Sequence, residues 1–167
     1  MILRNGFTLV EILLYVSVSS VILGGVSVFS VLLLEVRAKQ SVIAEVDGQG
    51  MQLIEHLNHT LRNAEGINSP LPGASSSTLS VDVFSVPDDP TVFSLFSGVV
   101  VVTEGGGGLV VLTNGRVIAG PVTFSNVSRP GTPGIIRYEF VLTSVNPSGR
   151  NSFDYEKTFR GSISLRN

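Results

Sequence analysis

The sequence contains no cysteine among its 167 residues, and charged residues are also few. The absence of cysteine excludes disulfide cross-links and thiolate metal sites, and it leaves the redox compartment open. The 11 Lys and Arg residues are balanced by 13 Asp and Glu residues, without a basic run or stripe. A nucleic-acid-binding face is therefore not indicated, because such a face needs clustered cations.

Charge is missing altogether from one long segment, residues 12–34. This segment accounts for much of the high mean hydropathy of +0.40. A helix needs about 20 apolar residues to cross the hydrocarbon core of a bilayer, so the segment is predicted to span a membrane. It is longer than the apolar core of a secretory signal peptide, and no recognisable signal-peptidase site accompanies it.

One carboxylate, that of Glu11, stands at the start of this apolar segment. Placing a lone carboxylate in hydrocarbon costs about 3 kcal/mol on insertion scales, so acids inside membrane spans are rare without a partner. Glu11 is therefore a candidate functional residue. A plain membrane anchor gives no physical reason for its presence.

The residues around this carboxylate form a recognisable motif, Gly6-Phe7-Thr8-Leu9-Val10-Glu11, behind a short leader that carries Arg4. The motif resembles the cleavage and methylation site of type IV pilins and of type II secretion pseudopilins. The resemblance implies that a membrane aspartyl peptidase cuts after Gly6 and that Phe7 becomes the methylated N-terminus. Glu11 would then be the fifth residue of the mature chain, the assembly glutamate of the family. Arg4 is expected to help retain the leader in the cytoplasm.

The physical chemistry of Glu11 agrees with that role. Cleavage creates an α-amino group at Phe7, and the amine of a neighbouring subunit can neutralise Glu11 within a filament. Subunits shifted along the axis would leave both charges unpaired in an apolar environment. One buried ion pair would thus fix the axial register, as a single buried polar residue does in a coiled coil.

Helical periodicity is predicted to continue beyond the membrane, from Phe7 to about Ala64. An apolar stripe with spacings of three or four consists of Ile43, Val46, Gly50, Leu53, Leu57 and Leu61. This stripe is typical of an amphipathic helix packed on a sheet. The acidic residues beside it are predicted to form a solvated face: Glu45, Asp47, Glu55 and Glu65. Two glycine sites, Gly24-Gly25 and Gly48 with Gly50, are predicted to allow close packing, loosening or a bend.

The second half of the chain is predicted to be a β-rich head. Turn residues at 68–77 end the helix, and β-prone runs follow at 78–86, 91–96, 99–103, 109–113, 116–118, 122–127, 135–145 and 153–165. Asn114-Gly115 between apolar runs indicates a hairpin. Alternation at Leu79, Val81 and Val83 predicts a sheet with one buried face, packed on the apolar stripe of the helix.

The predicted organisation is therefore a leader at 1–6, a transmembrane assembly helix at 7–34, its amphipathic continuation at 35–66, and a head at 67–167. The fold class is α+β, with a long N-terminal helix packed on an antiparallel sheet.

Other motifs give weaker signals. His56 and His59 have a spacing that suits a metal, but no carboxylate completes the site. The 105–108 glycine run lacks the lysine of a phosphate loop and is predicted to be a hairpin tip. Asp88-Asp89 offers two carboxylates, too few to assign calcium. No cofactor, metal site or catalytic constellation is predicted, and the chain is not expected to be an enzyme.

The predicted function is that of a minor pilin or pseudopilin in the inner membrane, with its head outside the cytoplasm. Short matches to W-type minor pilins and J-type pseudopilins favour a minor subunit: residues 61–64, 122–124 and 157–167. The expected partners are a prepilin peptidase and methyltransferase, other pilin or pseudopilin subunits, the inner-membrane assembly platform and lipid. The alternative is an anchored binding or sensor protein that uses the same sorting route without polymerising. A tethered hydrolase would need a nucleophile and base that the sequence does not offer.

Overall fold

The computed structural model describes residues 8–130 and 134–166. A single α-helix, α1 (Leu9–Arg62), spans 54 residues, or about 81 Å at 1.5 Å per residue. Its N-cap is Thr8, whose side chain accepts a hydrogen bond from the Glu11 amide. No proline precedes Pro70, so nothing in the sequence of α1 forces a kink. The predicted roles of Arg4, Gly6 and Phe7 fall on residues outside the described part of the chain.

The second half of α1 is amphipathic, as the apolar stripe predicts. Five stripe positions are buried: Val46, Gly50, Leu53, Leu57 and Leu61. Ile43 is half-buried at the start of the same face. This face packs on the head and forms one side of the core, so the predicted α+β architecture is confirmed.

The head contains two antiparallel sheets, where the sequence predicted one sheet with a single buried face. The strands are β1 (Ala64–Ser69), β2 (Ser75–Ser76), β3 (Leu79–Val83), β4 (Thr91–Phe96), β5 (Val99–Glu104), β6 (Val110–Val111), β7 (Val117–Asn126), β8 (Ile135–Ser144) and β9 (Glu156–Ser164). A five-stranded sheet has the order β1-β3-β4-β5-β6, and a four-stranded sheet has the order β2-β7-β8-β9. Short 3-10 turns lie at Val86–Asp88 and Asn151–Phe153.

The helix ends earlier than predicted, because β1 begins directly after Asn63. The 35–66 range is therefore helical only to Arg62. Ala64 is buried and pairs with Val83, and Ile67 pairs with Val81. Pairing with β3 provides backbone hydrogen bonds to these residues and buries Ala64 in the core. This stabilisation by tertiary contacts outweighs their local preference for helix.

The Asn114-Gly115 hairpin prediction is wrong. The strand before this turn, β6, pairs with β5, whereas the strand after it, β7, pairs with β2 and β8 in the other sheet. The turn therefore carries the chain between sheets. Its conformation is held by the helix, because the Asn114 amide donates to Gln49 Oε1 at 3.1 Å.

Two predicted strands, 116–118 and 122–127, are one strand in the structure. A register shift between Ala119 and Val122 interrupts the β7–β8 ladder. Pro121 lies within that irregularity and is exposed. Proline cannot donate to a ladder, so a bulge is where a strand tolerates it.

The core lies between α1 and the inner faces of both sheets. The four-stranded sheet contributes Phe140 and Phe159, whose rings stack with centroids 5.1 Å apart. The five-stranded sheet contributes Leu79, Val81 and Phe93, all fully buried. The buried residues of α1 and of both sheets form one continuous hydrophobic core. The packing of the helix and the packing of the two sheets therefore depend on the same side chains.

Close packing of the helix on the four-stranded sheet depends on Gly50. A Cβ at this position would lie 2.1 Å from Phe159 Cζ, whereas a Cβ at Gly48 would meet nothing within 4 Å. Gly50→Ala should lower the free energy of unfolding by about 1–3 kcal/mol through overpacking. The measurement is urea unfolding of the full chain in detergent micelles. Near-ultraviolet circular dichroism of Tyr138, which is buried in the core, reports the unfolding.

Gly48→Ala is the matched control, two residues away on the open side of the helix. It should raise the stability by about 1 kcal/mol, because alanine is the better helix former and no neighbour obstructs it. Equal effects of the two substitutions would show that helix propensity, and not contact with Phe159, decides the outcome at Gly50.

Candidate functional site: Glu11 and the exposed apolar half of the helix

The first half of α1 stands clear of the head. Its large apolar side chains between Leu9 and Val36 are 42–77% exposed. Among the described residues, α1 is long and apolar enough to cross a membrane by length and composition. Soluble monomers rarely expose contiguous apolar patches larger than a few hundred Å², so this surface is expected to be covered in the cell. We call residues 9–34 the exposed apolar half.

Glu11 lies in the first turn of this half. Its backbone amide donates to Thr8 Oγ1 at 3.3 Å, which places the carboxylate near the positive end of the helix dipole. The Tyr15 hydroxyl donates to Glu11 Oε1 at 3.4 Å, one turn along. Within residues 8–130 and 134–166, no basic side chain forms an ion pair with Glu11. The carboxylate therefore has one weak neutral donor and no countercharge in the described part of the chain.

Four of the five serine hydroxyls in the same half are satisfied within the helix. Their Oγ atoms donate to carbonyls of the preceding turn, at 2.8–2.9 Å: Ser17 to Leu14, Ser20 to Val16, Ser27 to Leu23, and Ser30 to Val26. A hydroxyl bonded in this way costs little to bury in an apolar environment. Glu11 differs from these four serines, because its charge has no countercharge within the described residues.

Gly24 and Gly25 lie in uninterrupted helix, and a Cβ at either position would meet nothing within 4 Å. The open space permits another helix to approach closely at this point. Loosening of the helix at these glycines on assembly stays a prediction.

Comparison with protein-family models, with curated proteins and with solved structures finds no match. The functional assignment therefore depends on the residues and geometry of this chain.

Three residues of the weaker sequence motifs, His56, Asp88 and Asp89, make local structural contacts. The His56 ring meets the Phe93 ring edge-on, with centroids 6.2 Å apart. No group of three His, Asp or Glu residues in the described ranges is placed to hold a metal ion. Asp89 Oδ1 accepts a hydrogen bond from the Val83 amide, and the Asp88 carbonyl accepts one from the Thr91 hydroxyl. Both contacts stabilise the turn between β3 and β4.

Polar contacts between helix and head were not predicted from the sequence. Glu45 Oε1 accepts a hydrogen bond from Asn114 Nδ2 at 2.6 Å, and Glu45 Oε2 lies 3.6 Å from Arg116. Asp47 accepts a hydrogen bond from Lys157 Nζ at 2.9 Å, which raises the pKa of that ammonium group. The prediction of a purely solvated face is therefore wrong for Glu45 and Asp47. These contacts attach the head to the second half of α1, the same helix whose first half is exposed and apolar.

Proposed function

We propose that this protein is a structural minor subunit of a type IV pilus-like filament, either a minor pilin or a secretion pseudopilin. The observation that carries the proposal is Glu11, a carboxylate at the start of an exposed apolar helix that no basic side chain of the described residues neutralises. The Gly6-Phe7 motif in front of it supplies the reason, because processing there would create a matching amine.

In this proposal the helix has two successive environments. Before assembly, lipid covers the exposed apolar half in the inner membrane, and the head lies outside the cytoplasm. A prepilin peptidase and methyltransferase processes the N-terminus, and the assembly platform then moves the subunit into the filament. There the helices of other subunits replace lipid around the same surface, with little change in apolar burial.

In this proposal, Glu11 favours transfer of the subunit from lipid into the filament and sets its axial position there. Its carboxylate is costly in hydrocarbon, and a neighbour's α-amino group provides an ion pair that the membrane does not. Tyr15 donates to Oε1, and no other side chain of the described residues donates to this carboxylate, which leaves Oε2 for the amine in the proposed pair. The correct axial position is the one in which both charges are paired.

A cross-linking experiment tests whether the exposed apolar half contacts other subunits. A photo-reactive amino acid replaces Val21, which is 77% exposed in the middle of this half. In cells with the complete assembly machinery, we expect cross-links to other pilin-like subunits in the sheared filament fraction. Deletion of the assembly platform should abolish them.

The matched control carries the same photo-reactive residue at Ser148, on an exposed head turn between β8 and β9. It reports contacts that come from proximity of heads alone. If the Val21 probe never cross-links to another subunit while the protein is membrane-bound and processed, the chain is an anchored binding or sensor protein and the proposal fails.

A further inference from the structure

The last strand leaves one edge of the four-stranded sheet open. β9 is the terminal strand in the order β2-β7-β8-β9. The Leu165 amide donates to the Gly134 carbonyl at 2.8 Å, on the β8 side. Because antiparallel hydrogen-bonded pairs alternate with non-bonded ones, Ser162 and Ser164 direct their backbone N–H and C=O groups away from β8. Their backbone groups make no other hydrogen bond in the described part of the chain.

A groove lies along this open edge. It has a volume of about 490 Å³ and separates residues 162–166 from the last turn of α1. A second groove of about 500 Å³ shares Arg62, Asn63 and Arg166 with the first and extends to Phe84. The first groove lies beside Ser162 and Ser164, and the second continues from Arg166 towards Phe84. An added strand would lie about 4.8 Å from β9.

The charge on this surface is unbalanced. Arg62 and Arg166 are exposed, line both grooves, and form no ion pair within residues 8–130 and 134–166. One carboxylate, that of Glu65, lines the second groove. Phe84, 84% exposed, adds an apolar side chain at the far end. Two guanidinium groups beside an open strand edge complement carboxylates carried on a strand.

We propose that this groove binds an extended acidic segment of another protein chain by strand addition to β9. The segment would hydrogen-bond to the backbone of Ser162 and Ser164, and its carboxylates would pair with Arg62 and Arg166. Arg62 lies 28 residues beyond Leu34, about 42 Å along the helix, so the groove is far from the apolar half. The inference does not depend on the proposed filament function, because it uses only residues of the head and of the adjoining helix end.

The probe is a fluorescent peptide of alternating valine and glutamate, seven residues long and capped at both ends. Binding to the full chain in detergent micelles is followed by fluorescence anisotropy at low salt. We expect saturable binding that weakens at least tenfold in R62Q combined with R166Q. The matched control is R150Q, an exposed arginine in the connection between β8 and β9 that likewise has no ion pair in the described residues; it should bind the peptide as the unaltered protein does.

Two variant peptides separate charge from strand pairing. Replacing glutamate by glutamine keeps the ladder and removes the carboxylates. N-methylation of alternate amides keeps the carboxylates and removes the ladder. Both should bind at least tenfold more weakly than the parent peptide. Absence of parent binding, equal losses in R150Q and the R62Q/R166Q variant, or undiminished binding of either variant peptide would overturn the proposal. Unchanged circular dichroism of the variants shows that folding is not the cause.

Discussion

Glu11→Gln is expected to abolish incorporation of the protein into filaments while leaving membrane insertion and leader cleavage intact. Glutamine preserves the size of the side chain and can still accept the Tyr15 hydrogen bond, but it cannot neutralise an amine. Leaving one member of a buried ion pair alone costs about 3–5 kcal/mol, which corresponds to at least about a hundredfold loss of assembly. The measurement is the amount of this protein in sheared filaments relative to the amount in the membrane fraction.

Glu35→Gln is the matched control, because Glu35 is the acid at the other end of the uncharged segment. It lies where the chain is expected to return to water, so its neutralisation should leave incorporation unchanged. Normal incorporation of the Glu11→Gln protein into filaments would show that the Glu11 charge is not needed for assembly. It would contradict the proposed ion pair. Equal loss in both variants would point to a general effect of charge on the helix.

Leu57→Ala is expected to lower the free energy of unfolding of the head by about 2–5 kcal/mol. Leu57 is 1% exposed and lies in the core shared by the helix and both sheets. Truncation removes apolar contacts and leaves a cavity that the surrounding sheets cannot close. Against a typical total of about 5–15 kcal/mol, a loss of this size is a large part of the stability. Urea unfolding of the full chain in micelles measures it.

Met51→Ala controls for the helix itself. Met51 is 63% exposed on the opposite side, and its replacement by a good helix former should change the stability by less than about 0.5 kcal/mol. If both substitutions had similar small effects, the second half of α1 would not be part of the core, and the head would fold without it.

The helical part of the fold was predictable because its signals are local. The apolar stripe from Ile43 to Leu61 repeats with the period of a helix, and its inner positions are the buried ones. The exposed apolar half was predictable from the length and hydropathy of the uncharged segment at 12–34. The end of the helix was predicted two residues too late, since Ala64 is removed from the helix by its pairing with Val83, a partner distant in sequence.

The β-rich head was predictable as strands but not as sheets. Runs such as Ile135–Ser144 alternate clearly, yet alternation does not specify which strand lies alongside. Asn114-Gly115 illustrates the limit. Its residue types suit a hairpin, but Asn114 is bound by Glu45 and Gln49 of the helix, and the chain continues into the other sheet. Tertiary contacts decided the topology at this turn.

Glu11 could be singled out from the sequence because a carboxylate at the start of a membrane-length apolar segment is unusual, and its role in assembly stays a prediction. The Tyr15 hydroxyl near Glu11 follows from an i, i+4 spacing that the sequence displays, although it was not singled out. The ties from Glu45 and Asp47 to the head could not be foreseen. They join residues separated by 69 and 110 positions, which no local pattern encodes.

The most direct test of the account is the mass of the mature N-terminal peptide, isolated from cells that carry the prepilin peptidase. We expect a chain that begins at Phe7 and is one methyl group heavier than the bare sequence. In the proposed filament, such a terminus would supply the amine that pairs with Glu11 of a neighbouring subunit. A mature protein that still begins at Met1 in those cells would contradict it, because no amine would then be generated at that position.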